Sequence, residues 1–238
     1  MKFLKKTSRL TAVAGGAALA LVLAGCSGSG DAGGDAGADA PLQDSYTVAT
    51  DASFVPFEFE ENGEQVGFDI DVINEIAKRA GFEIELKVTN FDGIIPGLQT
   101  GSFDMAIAGI TITDERKEAV DFSSPYYKSG VRIGVPADNN DVQSLEDLNG
   151  KKVASRLGTA PLDYLKDNYP EIQPQPFEQL DQAYLSVEGG STAAIFYDAP
   201  NVEYYISTTG KDKLKVVGDL YEAQNYGCLL YTSDAADE

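Results

Sequence analysis

Met105-Ala106-Ile107-Ala108-Gly109-Ile110-Thr111-Ile112-Thr113-Asp114-Glu115-Arg116 is the stretch from which the rest of the chain can be read. Residues 105–108 form a short apolar run, expected to be a buried strand. The loop after it carries the Thr111 hydroxyl, and a helix then starts with Arg116 in its first turn. Strand, loop and helix in this order make one half of a parallel α/β unit. The arginine is informative because a helix N-terminus already carries partial positive charge and unpaired N–H donors, so cations normally sit at the other end. An anion at that site would explain it. Backbone amides, the Thr111 hydroxyl and a planar guanidinium can hold a small carboxylate by bidentate, charge-assisted bonds. From these residues alone, an ordinary surface arginine paired with Asp114 or Glu115 explains it too.

Strand and helix alternate on both sides of this stretch. Residues 46–50 read as a strand. Ile70, Ile73, Ile76, Ala77 and Ala80 fall at helical spacing, with Asp69 as the N-cap and Gly81 as the stop. Residues 83–88 alternate as a strand with one wet face, and residues 93–100 form a short helix. A second run of the same kind begins at Val131. Ser144 and Asp147 form a capping box over a short helix that Asn149-Gly150 ends. Residues 152–155 are a strand, and Gly158-Thr159-Ala160-Pro161 opens a helix with proline in its first turn. Strands follow at 173–177, 193–196 and 214–217, with helices at 180–187 and 199–208. The halves meet near residues 126–130, and residues 222–226 are a candidate second crossing. The expected architecture is α/β: two lobes, each a mainly parallel sheet flanked by helices, joined by two hinge strands around a cleft where ligand sites tend to lie.

The ends read differently. Lys2, Lys5, Lys6 and Arg9 precede an apolar run over residues 10–23 that closes in Leu23-Ala24-Gly25-Cys26. The run is too short for a membrane span and has the form of an export signal. Small residues before a cysteine resemble the lipobox of bacterial lipoproteins, which implies cleavage after residue 25 and acylation of Cys26. Residues 26–45, rich in Gly, Ser, Ala and Asp, bury too little to fold and form a flexible tether. Of 18 basic residues the signal takes four and no acidic ones, leaving 14 against 38, a net charge of −24. That balance argues against nucleic acid or anionic lipid as partners. With Cys26 acylated, no disulfide is expected. Residues 228–238 also read, codon for codon, as one frame of a transposase adapter used in short-read sequencing libraries. Native sequence is therefore expected to end at or near Gly227.

Between these ends, each first turn after a strand offers a group that could face the cleft. Asp51 and Phe54 follow the first strand, Phe91 the next, and Arg116 the third. In the second half Arg156, Thr159 and Ala160 follow one strand and Asp198 another. Singly, the phenylalanines could be core and the aspartates helix caps. Jointly they supply an anion site, a cation site and two aromatic plates, which is what a zwitterionic amino acid requires. Asp69-Ile70-Asp71 lacks the glycine and terminal glutamate of a calcium loop and reads better as a helix start.

Residues 51–59, Gly67-Phe68-Asp69-Ile70-Asp71, residues 91–100, 108–117 and 122–130, Gly158-Thr159, Tyr197-Asp198-Ala199-Pro200-Asn201 and residues 218–227 together resemble the glutamine-binding proteins of polar amino acid ABC importers, bacterial solute-binding family 3. The resemblance implies a type II periplasmic-binding-protein fold with lobe 1 over 46–130, lobe 2 over 131–221 and a second hinge at 222–227. It also implies that the chain normally returns to lobe 1 after that hinge, so that apolar lobe-1 surface would be uncovered here and binding weakened. Carried over, Arg116 clasps the ligand α-carboxylate with Thr111 and amides near Gly109 and Ala160, beside Ala108 and Thr159. Asp198 takes the α-ammonium, Phe54 and Phe91 sandwich the aliphatic stem, and Asp51 meets the side-chain end. Partners implied are the free amino acid, an ABC permease and, through lipid on Cys26, the outer face of the membrane. The protein would be a monomer with no cofactor and no metal.

Three positions depart from the glutamine pattern: Arg156 stands where lysine is usual, Tyr197 where histidine is usual and Ala160 where glycine is usual. Glutamine's amide can donate to Asp51 and accept from Arg156. Glutamate would set a second carboxylate near Asp51, and a basic side chain would meet Arg156. The expected order is glutamine, then glutamate, then basic amino acids. An enzyme on this fold, such as a dehydratase, is the rival class. The sequence has no histidine, which makes a nucleophile–base pair hard to assemble while leaving carboxylate acid–base chemistry open.

Overall fold

The computed structural model describes residues 42–230. The expected export signal, Cys26, the expected tether as far as residue 41 and residues 231–238 lie outside the described residues. The chain begins with strand β1 (Ser45–Thr50) and a small antiparallel unit of β2 (Ser53–Phe54), β3 (Glu58–Glu61) and β4 (Glu64–Val66). Helix α1 (Phe68–Ala80) buries Ile70, Ile73 and Ala77, the spacing of one helical face, and ends at Gly81 in the left-handed conformation. Next come β5 (Glu83–Val88), a 3-10 turn at Phe91–Gly93, α2 (Ile94–Gln99), β6 (Met105–Ala106), the single-turn α3 (Asp114–Lys117) and β7 (Asp121–Phe122).

Strand β8 (Tyr127–Pro136) carries the chain into the second half. There, β9 (Lys152–Arg156), α4 (Ala160–Asn168), β10 (Gln173–Phe177), α5 (Leu180–Glu188), β11 (Ala194–Asp198) and α6 (Ala199–Ser207) alternate. The long β12 (Leu214–Tyr226) returns along β8, and β13 (Leu229–Leu230) ends the described chain. All five residues of β11 are buried, as expected for an apolar strand paired on both sides and covered by helices.

Two five-stranded sheets result, ordered β5-β1-β6-β13-β7 and β10-β9-β11-β8-β12. Tyr226 pairs with Tyr127, Asn225 with Lys128 and Gln224 with Ser129, so the two crossings run side by side as antiparallel strands. The molecule is thus an α/β protein with helix-flanked sheets, as the strand–helix alternation implies.

Several local expectations change. The sheets are mixed: β5, β1 and β6 run parallel, as do β10, β9 and β11, but β13, β8 and β12 join antiparallel. Asp69 is not the N-cap of α1; Gly67 holds that position, and the Asp69 side chain turns inward. Ser144 precedes only a 3-10 turn at Glu146–Leu148, inside which the Asp147 carboxylate accepts from the Gln143 and Ser144 amides. Leu229 and Leu230 pair with Ala106 and Met105 on one side and Phe122 and Asp121 on the other. Cys228 is a buried free thiol whose pKa burial pushes up to about 11.

Candidate functional site

The halves touch through polar groups at the ends of their parallel strands. Arg156, the last residue of β9, is fully buried and pairs with Asp51 at 2.5 Å, after β1 in the other half. Its Nε donates to the Glu178 carbonyl at 3.2 Å, while Nη2 is buried with no hydrogen-bond partner among the described residues. Asp51 also accepts from Ser53 Oγ at 3.0 Å. Burial alone would lower the Arg156 pKa, but Tyr197 and Asp51 outweigh it and hold the guanidinium above its ordinary value. Asn201 Nδ2 donates to the Val55 carbonyl at 2.7 Å, and Gln179 Nε2 to Asn90 Oδ1 at 3.1 Å. Gly158, in the left-handed region at φ +74°, leaves only 3.0 Å between a hypothetical Cβ and Asp92 Cβ, so a side chain there would prop the halves apart.

A second set of charges lies beside the first. Arg116 Nη1 donates to the Thr111 carbonyl at 2.8 Å and Nη2 to the Gly158 carbonyl of the opposite half at 3.0 Å. Burial lowers its pKa, and Asp198 is the leading group that counters this. Asp198 is 4% exposed and accepts from Tyr226 Oη at 2.6 Å. Burial pushes its carboxyl up to about 6 against the pull of Tyr226 and Arg116. It occupies the N-cap position of α6, yet its side chain makes no cap bond. The phenylalanines divide between these groups. Phe91 sits beneath both guanidiniums, with its ring centroid 5.7 Å from Arg116 Cζ and 5.4 Å from Arg156 Cζ, cation–π distances. Phe54 is buried among Phe57, Tyr197 and Tyr226, with centroids 5.1, 5.8 and 6.2 Å away.

The loop after β6 approaches this cluster closely. Ala108 and Thr111 are buried, and Thr111 forms a β-bridge with Tyr226. Gly109 adopts φ +54°, and a Cβ there would lie 2.3 Å from Phe54 Cε1. Its amide donates to Asp69 Oδ2 at 2.7 Å, so it does not offer itself to a ligand carboxylate as the sequence suggested. Thr159 Oγ1 donates to the Arg156 carbonyl at 2.7 Å, closing the strand end behind Ala160. Thr111, Arg116 and Ala160 share a cavity of ≈ 410 Å³ with Asp163, Tyr164 and Glu222. Asp51, Phe54, Arg156, Thr159 and Asp198 lie buried.

The Arg116 helix is a single turn, so its first and last turns coincide and the case from a misplaced cation does not apply. What singles Arg116 out is its reach to the opposite half. Tyr226, the direct partner of Asp198, leaves no sequence signal of that role, because a tyrosine in a crossing strand carries no motif. Tyr197, a departure from the glutamine pattern, lies edge-on to Phe54 and helps hold Arg156 charged.

Residues 46–217 match the bacterial extracellular solute-binding proteins, family 3, and the chain belongs to that family. A probable histidine-binding protein of Campylobacter jejuni is 36% identical over 164 residues, 67% of this chain; the aligned part spans 62% of that relative's length. An ancestral arginine-binding protein, solved with arginine and also with glutamine, is 38% identical with a TM-score of 0.77, covering 82% of this chain and 87% of its own. An ancestral amino acid-binding protein described as a precursor of cyclohexadienyl dehydratase is 38% identical with a TM-score of 0.74, covering 81% and 84%. These neighbours have the two-lobed type II periplasmic-binding fold.

Proposed function

We propose that this family 3 protein captures a polar amino acid outside the cytoplasm, glutamine in preference to others, by closure of its two lobes. It then presents the ligand to the permease of an ABC importer. The observation that carries the reading is that Arg116 reaches across to the Gly158 carbonyl at 3.0 Å, while Asp198 of that opposite half, buried on Tyr226, is the leading charge that offsets the desolvation of Arg116. A ligand bearing both α-carboxylate and α-ammonium satisfies the two together and so favours the closed arrangement by differential affinity. Thr111, Ala108, Thr159 and Ala160 line that end, and Phe54 and Phe91 flank the stem.

The far end selects the side chain. A primary amide can donate to Asp51 and give its carbonyl to Arg156 Nη2, which lacks a partner among the described residues. A glutamate side chain would bring a second carboxylate toward Asp51, and desolvated like charges cost several kcal/mol. A basic side chain suits Asp51 but faces Arg156. Basic ligands form the second reading, favoured by relatives named for histidine and arginine. Export through residues 1–25 and lipid on Cys26 would hold the protein at the outer face of the cytoplasmic membrane or in the periplasm. Calorimetric titration of the twenty amino acids tests the reading. Glutamine should bind most tightly, and absence of binding by any of them would overturn it. Formation of aromatic product from prephenate or arogenate would instead establish enzymatic activity.

A further inference from the structure

Behind the loop after β6 lie two carboxyl groups that the ligand site does not use. Glu58 on β3 is fully buried, and neither of its oxygens has a conventional hydrogen-bond partner among the described residues. Asp69 in the first turn of α1 is also fully buried. Its Oδ2 accepts from the Gly109 amide at 2.7 Å and from Tyr126 Oη at 2.8 Å, whereas Oδ1 has no conventional partner. The Asp69 amide donates to the Phe57 carbonyl at 2.8 Å, which sets the start of α1 beside Glu58, and each carboxyl is felt by the other. Two ionised carboxylates cannot share such a site, and buried acceptors without a donor are costly. A single proton resolves both problems, because Glu58 as a neutral acid can donate to Asp69 Oδ1.

We propose that Glu58 is a positioning residue, a neutral carboxylic acid whose hydrogen bond fixes Asp69 so that Asp69 ties the Gly109 loop to Tyr126 at the first lobe crossing. The ligand-gripping stretch 108–111 and the hinge are thereby held by one carboxylate. The charged surroundings agree with this assignment. Burial is the largest influence raising Glu58, followed by the negative charges of Asp69 and Asp51; Arg156 is the cation that opposes them. Asp69 is raised to about 6 by burial, despite bonds from Gly109, Tyr126 and Glu58, and the Cys228 thiol is the further titratable group facing it. Asp69 therefore accepts its two donors as an anion at neutral pH while Glu58 keeps the proton.

The consequence for ligand affinity rests on the proposed amino acid site; the protonation state does not. Infrared spectra of the full chain at neutral pH should contain a protonated-carboxyl carbonyl band that Glu58→Gln abolishes. Glu58→Gln retains a donor toward Asp69 and should keep glutamine affinity within threefold. Glu58→Leu should weaken it at least tenfold and speed hydrogen exchange at the Gly109 amide, with cooperative unfolding retained. A band that persists in Glu58→Gln, or equal losses in both variants, would overturn the proposal. If no amino acid binds the unsubstituted protein, the functional reading fails, and the infrared band and Gly109 exchange still decide the role of Glu58.

Discussion

Replacing Arg156 by leucine should turn a pocket suited to an amide into one suited to a cation. Arg156 neutralises Asp51, and both side chains are almost inaccessible to water. A ligand ammonium or guanidinium reaching Asp51 would lie about 5 Å from the Arg156 charge, a repulsion of about 3 kcal/mol at the effective dielectric of about 20 that suits protein sites. Leucine removes that repulsion for arginine and lysine. For glutamine it removes a hydrogen bond from a charged donor, about 1.5 kcal/mol. The arginine-to-glutamine affinity ratio should therefore rise by about 4–5 kcal/mol, roughly three decades. The unliganded variant should also be less stable by about 3–5 kcal/mol, because Asp51 is left buried without its counter-charge. Adding Asp51→Leu should restore stability and abolish the gain for arginine. Calorimetric titration of both ligands into the wild type and the two variants reads the ratio directly. A change below tenfold would refute the assignment of Arg156 to the side-chain end of the pocket.

Arg116→Ala should cost about 2–5 kcal/mol of glutamine binding, at least tenfold in affinity, because it strands one partner of a buried charge interaction; a loss under threefold in calorimetry would remove Arg116 from the site. Affinity should be level above pH 6 and fall by up to about tenfold per unit below it, since Asp198, raised to about 6, must lose its proton before it can take an ammonium. Asp198→Asn should bind weakly without that slope, and an unchanged pH profile in this variant would contradict the assignment. For the unliganded protein the sign reverses. A folded-state pKa of about 6 against the ordinary 3.8 gives stability that is present below 3.8 and lost as pH rises through 6, about 3 kcal/mol in all. Denaturant titrations across that range should find the wild type stabilised by mild acid and Asp198→Asn less so. Gly109→Ala should lower stability by about 1–3 kcal/mol and weaken binding, through strain at a positive φ and the clash with Phe54; a melting temperature unchanged within error would argue that the loop can move aside.

The alternation of apolar strands with amphipathic helices made the two halves legible, because burial writes itself into sequence at a period of two or 3.6 residues. Gly81 and the Thr159–Pro161 helix start were legible for the same local reason. What stayed hidden depends on contacts between distant segments. The ion pair of Asp51 with Arg156 spans 105 residues, and the bond from Tyr226 to Asp198 spans 28. No spacing rule brings those groups together. Asp69 illustrates the difference most clearly. Its position predicts the commonest role for an aspartate at a helix start, capping, since that role needs only neighbours. The fold turns the same carboxylate inward to the Gly109 amide and the Tyr126 hydroxyl, 40 and 57 residues away, and sets Glu58 against it. A buried acid pair at that point is hard to explain by stability, because burial penalises each charge. It is easier to explain as registration of a loop that must meet a ligand and a hinge at once.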